Sequence, residues 1–203
     1  MDQEVIPKTV FNWIDGEKSE ARTGDTFGKL SPVSGQEICR VARSRADDVQ
    51  KAVEVARRAQ PAWADSTPVS RGDLLHDIAQ AMRKYQEEIA SIVSLETGMS
   101  FKQALGETGG AIAQGEFMAG EGRRLYGRTT TSAVPNKYAM VVRQPLGVAG
   151  LIIAANTPIA NVAWKIFPAL ICGNAAVLKA AEDTPATAWI VGRIAKEVEL
   201  PPG

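Results

Sequence analysis

From residue 47 onward the apolar positions recur at three- and four-residue steps. Val49, Ala52, Val53, Ala56, Ala59 and Trp63 follow the acidic pair Asp47 and Asp48, which suits a helix N-terminus, and predict an amphipathic helix. A second helix is expected from Thr67-Pro68, a cap followed by the residue tolerated in a first turn, with Leu74, Leu75, Ile78, Ala81, Met82 and Tyr85 on one face. His76 falls on its flank, where it reads as a solvated histidine. Ile89, Ile92, Val93 and Leu95 mark a third helix that should stop at Gly98, because glycine accepts the left-handed conformation that ends helices. Ser100 can cap a fourth, running roughly from Phe101 to Leu125. That stretch holds Gly106, Gly109, Gly110, Gly115, Gly120 and Gly122, which make sense in a helix if another backbone packs closely on them. No strand delivers these glycines and no Gly-Lys-Ser/Thr follows, so they are not a phosphate loop.

Beyond Thr129 the pattern becomes β. Tyr138 to Arg143 reads as a strand and Val148 to Ala155 as an almost wholly apolar one, expected inside a sheet covered on both faces. Pro158 opens a helix with Val162, Ile166, Ala169 and Leu170 inward, which Pro168 should kink or end early, and Gly173-Asn174 closes it. Ala175 to Leu178 is a second short strand, and Thr184-Pro185 repeats the cap-plus-proline start before a helix bearing Ala188, Val191, Ile194, Ala195 and Val198. Before residue 47, turn signals (Asp15-Gly16, Gly24-Asp25, Ser34-Gly35) alternate with short pieces such as Phe11 to Ile14, suggesting hairpin-like strands in an arm or an edge.

The chain thus divides into an arm with short strands (1–46), a helical part (47–128), a strand segment (129–144) and a strand-helix-strand-helix unit (145–203). The last implies a parallel, right-handed α/β sheet. Two parallel strands do not make a stable sheet alone. The sequence is therefore expected to be the N-terminal part of something longer, or to have its sheet completed by another polypeptide.

Composition narrows the function. Among 203 residues, 23 Lys+Arg balance 23 Asp+Glu and 45% are hydrophobic, which is ordinary for a folded domain and argues against nucleic acid or an anionic membrane as partner. The longest apolar stretches fall far short of the roughly 20 residues that span a bilayer. Met1-Asp2-Gln3-Glu4 leads into no apolar run and does not read as a signal peptide, so a cytoplasmic location is expected. Two cysteines far apart, Cys39 and Cys172, are too few for a disulfide framework or a zinc site, and the single His76 excludes a multi-histidine metal site.

In an open α/β sheet, ligands bind outside the carboxyl ends of the strands. Two places qualify, Ala154 to Pro158 and Leu178 to Glu182. Asn156 carries an amide NH2 able to stabilise an oxyanion, or it serves as a helix cap. Lys179 and Glu182, one helical turn apart, can hold the ribose hydroxyls of a dinucleotide, or form a solvated ion pair. The Gly-x-Gly-x-x-Gly fingerprint is missing, since Gly147-Val148-Ala149-Gly150 precedes its strand.

These residues carry a resemblance. Pro145 to Gly150, Asn156-Thr157-Pro158, Ala163-Trp164-Lys165, Pro168-Ala169-Leu170, Cys172-Gly173-Asn174, Val177-Leu178-Lys179 and Ala181 to Pro185 closely resemble the aldehyde dehydrogenase superfamily. Pro61-Ala62-Trp63 and Leu95 to Gly98 do so upstream, and the likeness covers nearly the whole chain. It implies a Rossmann-like parallel sheet, with residues 47–128 in the cofactor-binding domain and 129–144 as an oligomerisation strand of a homo-oligomer, a dimer or tetramer. It also implies NAD-dependent oxidation of a small-molecule aldehyde to a carboxylic acid. In the family a cysteine thiolate adds to the aldehyde, hydride passes to nicotinamide, and a glutamate-activated water hydrolyses the thioester.

By this resemblance Asn156 matches the oxyanion asparagine, and Lys179 and Glu182 match the residues contacting the adenosine ribose. The backbone of Ile152, Ile153, Ala154 and Ala155 matches the strand end of the cofactor cleft, and Trp164 matches a wall of the substrate tunnel. A carboxylate at Glu182 repels a 2′-phosphate, which favours NAD over NADP. Thr157 stands where an aromatic residue is common, Ala155 where tryptophan is common and Ala180 where proline is common. The first widens or polarises the tunnel; the others loosen the cofactor cleft. The nucleophilic cysteine and the general-base glutamate lie, in the family, beyond residue 203, and neither Cys39 nor Cys172 is a substitute. The rival readings are an inactive fragment or assembly partner of the same fold, and a CoA-acylating relative that releases its thioester to a thiol.

Overall fold

A computed structural model of the protein describes residues 5–203; the N-terminal stretch read for a signal peptide lies outside them. The first strands are β1 (Thr9–Val10), β2 (Asn12–Ile14), β3 (Glu17–Ser19), β4 (Thr26–Leu30) and β5 (Glu37–Ala42). β1, β5 and β4 form a sheet in that order, with β1 parallel and β4 antiparallel to β5. β2 and β3 pair as a hairpin whose turn residues, Asp15 and Gly16, sit at φ 60° and 70°. Two positive φ angles in a two-residue turn match the right-handed twist of the flanking strands, and Asp-Gly is the pair that accepts them. These strands lie on the body: Val10, Cys39 and Val41 belong to the core, and Trp13 Nε1 donates to the Trp189 carbonyl at 3.2 Å.

Four helices follow: α1 (Ala46–Asp65), α2 (Pro68–Lys84), α3 (Gln86–Thr97) and α4 (Phe101–Glu121). Their ends obey local chemistry. Thr67 accepts from the Ser70 N–H at 3.1 Å, Gly98 ends α3 at φ 76°, and Ser100 and Gln103 cap each other reciprocally. On α1 the expected stripe holds at Ala56, which is buried, and at Ala52, Val53, Ala59 and Trp63, which are half-buried, but Val49 is 52% exposed while Asp48 is buried. The reason is that the Asp48 carboxylate accepts from the backbone N–H of both Arg22 and Arg45 at 2.8 Å, pinning the helix start to the N-terminal strands. The expected close approach of another backbone exists at Gly122, where a Cβ would run into the Pro68 carbonyl, while at Gly115 the approach is by a side chain, a Cβ there standing 2.7 Å from Phe167 Cζ. Gly106 and Gly110 face open space, so packing does not explain them.

β6 (Arg128–Thr131) and β7 (Tyr138–Val141) form an antiparallel ribbon in which every residue is exposed. The parallel unit comprises β8 (Val148–Ile152), α5 (Pro158–Ile171), β9 (Ala175–Lys179) and α6 (Pro185–Glu197). Among the described residues β8 pairs only with β9, and the mixed α/β architecture with a parallel strand pair is the one expected. β8 is not a strand buried on both faces, however: Ile152 is 70% exposed. With a partner on one edge only, its apolar residues lack the cover that the apolar run predicts. Pro168 does not end α5, which continues to Ile171.

The core sits among α2 to α6, around Leu75, Ile78, Met82, Ile112, Phe167 and Ile190. Two carboxylates fasten the βαβα unit to it. Thr157 and Thr184 occupy the N-cap positions of α5 and α6, yet neither side chain caps its helix. Glu107, on α4, accepts instead from Ile159 N at 2.9 Å and Ala160 N at 3.1 Å. Glu96, on α3, accepts from Ala186 N at 2.7 Å and from Thr187 N and Oγ1 at 2.9 and 2.7 Å. An anionic acceptor meets both the orphan N–H groups and the positive end of the helix. The other end of α5 is held as firmly. Buried Arg71 donates to the Ile171 carbonyl and to carbonyls at the end of α1, and Trp63 Nε1 donates to Leu170 O at 2.9 Å.

Candidate functional site

Because β8 and β9 run parallel with Ile152 opposite Lys179, the two loops that follow them leave from the same end of the sheet. The structure therefore brings together the segments 153–157 and 180–184. Ile153 N donates to Lys179 O at 3.2 Å, and its side chain is buried in the core. The Ile152 carbonyl accepts from Lys165 Nζ on α5 and the Ala154 carbonyl from Asn161 Nδ2, so three of the four backbone positions assigned to the cofactor cleft already make a bond within the chain. Ala154 is exposed and Ala155 half-buried.

Asn156 is exposed and lies just before α5. It does not cap the helix, which starts from Thr157 with Glu107 as acceptor. Its Oδ1 accepts from Asn161 Nδ2 at 3.3 Å; the same Nδ2 reaches Thr157 Oγ1 at 3.2 Å and the Ala154 carbonyl at 3.4 Å. Thr157, Asn161 and Trp164 stand at i, i+4 and i+7, one helical face, and Trp164 is 55% exposed.

At the end of β9, Lys179 Nζ and a Glu182 carboxylate oxygen form an exposed ion pair at 2.8 Å. The hydrogen bond from Lys179 holds the Glu182 carboxyl below its ordinary range. Exposed pairs of this kind contribute little stability, so the charges remain available to a ligand. Glu182 and Asp183 also border an open groove of about 540 Å³ whose far side is Phe27 to Leu30 and Arg43.

The other titratable groups lie apart. His76 is exposed on α2. Burial pushes the Cys39 thiol up to about 12, which leaves it un-ionised at neutral pH and a poor nucleophile. Cys172 is the half-buried residue that ends α5. Among the described residues no three His, Cys, Asp or Glu side chains converge as a metal site, and no helix is long and apolar enough to cross a membrane.

Asn161, Lys165 and Glu107 escaped the sequence reading. For the first two a signal existed: they are the only polar side chains on an otherwise apolar α5, and they stand four residues apart on one face. Glu107 offered none, because its partners lie 52 and 53 residues away.

A model of the aldehyde dehydrogenase family matches residues 6–203. Aldehyde dehydrogenase family 2 member B4, mitochondrial, of Arabidopsis thaliana is 36% identical over 193 residues, 94% of this chain and 36% of that protein. Among solved structures, an Escherichia coli NADP-dependent enzyme is 31% identical with a TM-score of 0.93, over 99% of this chain and 41% of that one. A point mutant of betaine aldehyde dehydrogenase from Staphylococcus aureus, in complex with NAD+, is 28% identical with a TM-score of 0.95, over 100% and 41%. The chain thus spans about two fifths of the length of the relatives it matches. Matched over nearly all its residues in both sequence and fold, the chain belongs to the aldehyde dehydrogenase family.

Proposed function

We propose that this chain supplies the oxyanion donor and the cofactor ribose site of an enzyme that oxidises an aldehyde to a carboxylic acid with NAD. The observation that carries the reading is the junction of β8 and α5, where the oxygen of the Asn156 carboxamide is bound by Asn161 and its NH2 is left to point elsewhere. A cysteine thiolate from outside these 203 residues adds to the aldehyde carbon, and Asn156 donates to the oxygen as it becomes negative. NAD, when bound, would supply the acceptor for the hydride lost from the substrate carbon. Water then hydrolyses the thioester. Thr157 and Trp164 face the aldehyde, the threonine giving that wall a hydroxyl.

The donor set at the end of β9 fits a ribose. Glu182 offers acceptors to two hydroxyls and Lys179 offers a donor, while the exposed backbone after Ile153 lines the same end. Glu182, held in its charged form by Lys179, repels a 2′-phosphate and so favours NAD over NADP. Relatives with NAD+ and with NADP both occur, so the preference rests on this carboxylate alone.

A second reading, an assembly role, draws on the wholly exposed β6–β7 ribbon, with Tyr138 80% and Met140 70% exposed. A two-stranded ribbon is marginal in water by itself, and a second subunit of a homo-oligomer would cover it. The test is aldehyde-dependent NADH formation by the protein with and without added CoA. Formation without CoA supports the hydrolytic reading. An absolute need for CoA would replace it with the acylating one, and no NADH under either condition would leave the assembly role.

A further inference from the structure

We propose that Asn161 is a positioning residue that sets which end of the Asn156 carboxamide faces the reacting carbonyl. The inference rests on Asn156 acting as the oxyanion donor. A carboxamide has two nearly isosteric branches, one a donor and one an acceptor, so an oxyanion asparagine is useful only if something chooses between them. On α5 the choice is made by three contacts of one atom. Asn161 Nδ2 lies 3.4 Å from the Ala154 carbonyl, 3.3 Å from Asn156 Oδ1 and 3.2 Å from Thr157 Oγ1.

The Ala154 carbonyl can only accept, so the Asn161 branch that faces it must be the NH2. That in turn requires the Asn156 branch beside it to be the oxygen. The Asn156 NH2 then occupies the opposite branch of the planar amide, free to donate. A flipped Asn156 would present its oxygen to the developing oxyanion, which exchanges attraction for repulsion. The same amide bridges Ala154 and Thr157, so it also closes the loop that carries Asn156.

Two substitutions separate this from a role in loop stability. Asn161→Leu removes the preference without reversing it, leaving both Asn156 orientations accessible, and kcat should fall about two-fold with the NAD dissociation constant unchanged. Asn161→Asp presents only acceptors, draws the Asn156 NH2 toward itself and inverts the orientation. A charge-assisted bond of that type should depress kcat about ten-fold or more. In an Asn156→Ala background, where no amide remains to orient, Asn161→Asp should cost no more than Asn161→Leu.

The Asn156 side-chain NH2 resonances in an amide correlation spectrum report on the same contact without turnover. They should shift and exchange more slowly with solvent in Asn161→Asp. Additive losses in the double variant, or unmoved Asn156 resonances, would overturn the proposal. If Asn156→Ala itself left kcat unchanged, the oxyanion reading would fall, while the spectrum would still decide whether Asn161 orients Asn156.

Discussion

Replacing Glu107 with alanine should loosen the junction on which the candidate site depends, and the cost follows from two hydrogen bonds. Glu107 Oε1 accepts from Ile159 N and Ala160 N, whose residues are 0% and 7% exposed, so water has little room to take its place. A buried donor left without a partner costs about 1–3 kcal/mol, and two of them put Glu107→Ala at roughly 2–6 kcal/mol. Glu107→Gln should behave differently. Only one carboxylate oxygen is used; Oε2 is buried with no partner in the protein, so an NH2 in its place breaks no bond. Burial already pushes the Glu107 carboxyl up from its ordinary value, so losing the charge removes a desolvation cost as well as an attraction to the helix N-terminus. The new NH2 lacks a buried acceptor, a cost that relief of the carboxylate's desolvation offsets, so Glu107→Gln should stay within about 1 kcal/mol of wild type. Urea denaturation followed by circular dichroism measures both, with the midpoint falling for Ala and nearly fixed for Gln at a common slope. Equal losses for the two variants would show that the charge, not the acceptor, holds α5, and a neutral Glu107→Ala would refute the trans-cap altogether.

Other expected outcomes can be read from single measurements. Burial pushes the Glu96 carboxyl up to about 7 from the 4.5 of an unperturbed glutamate. The folded chain then holds a proton that the unfolded chain has released, so stability should fall by about 3 kcal/mol as pH rises from the lower value through the higher, and Glu96→Gln should flatten that slope. A Cβ added at Gly192 would stand 2.4 Å from Trp13 Cδ1, and Trp13 is tethered to Trp189, so Gly192→Ala should lower stability by about 1–3 kcal/mol in a thermal melt. Glu182→Gln should raise the affinity for NADP relative to NAD, measured as a ratio of dissociation constants; an unaltered ratio would count against the ribose assignment.

What could be read from the sequence was whatever a few neighbouring residues decide. Thr67-Pro68, Gly98 and Ser100 fix helix ends within one turn, and the structure places those ends where the sequence predicts them. The order of β8, α5, β9 and α6 followed from the switch in apolar periodicity, and with it the end of the sheet at which Asn156, Lys179 and Glu182 stand. The failures share a cause. Thr184-Pro185 has the form of a local cap, yet the acceptor for α6 is Glu96, 90 residues away from Ala186, and Thr184 Oγ1 is left without a protein partner. Glu107 and the burial of Asp48 in place of Val49 are likewise products of tertiary contact. Ile152 is exposed because an apolar strand reveals what it is built to bury, and not whether this chain supplies the cover.

The central claim is that Asn156 stabilises an oxyanion, and steady-state aldehyde oxidation by Asn156→Ala tests it most directly. Turnover should fall about 10²-fold or more while NAD binding, measured calorimetrically, stays close to wild type, since the contact forms only as charge develops on the substrate oxygen. Wild-type turnover in this variant, or a loss explained entirely by weaker NAD binding, would contradict the account.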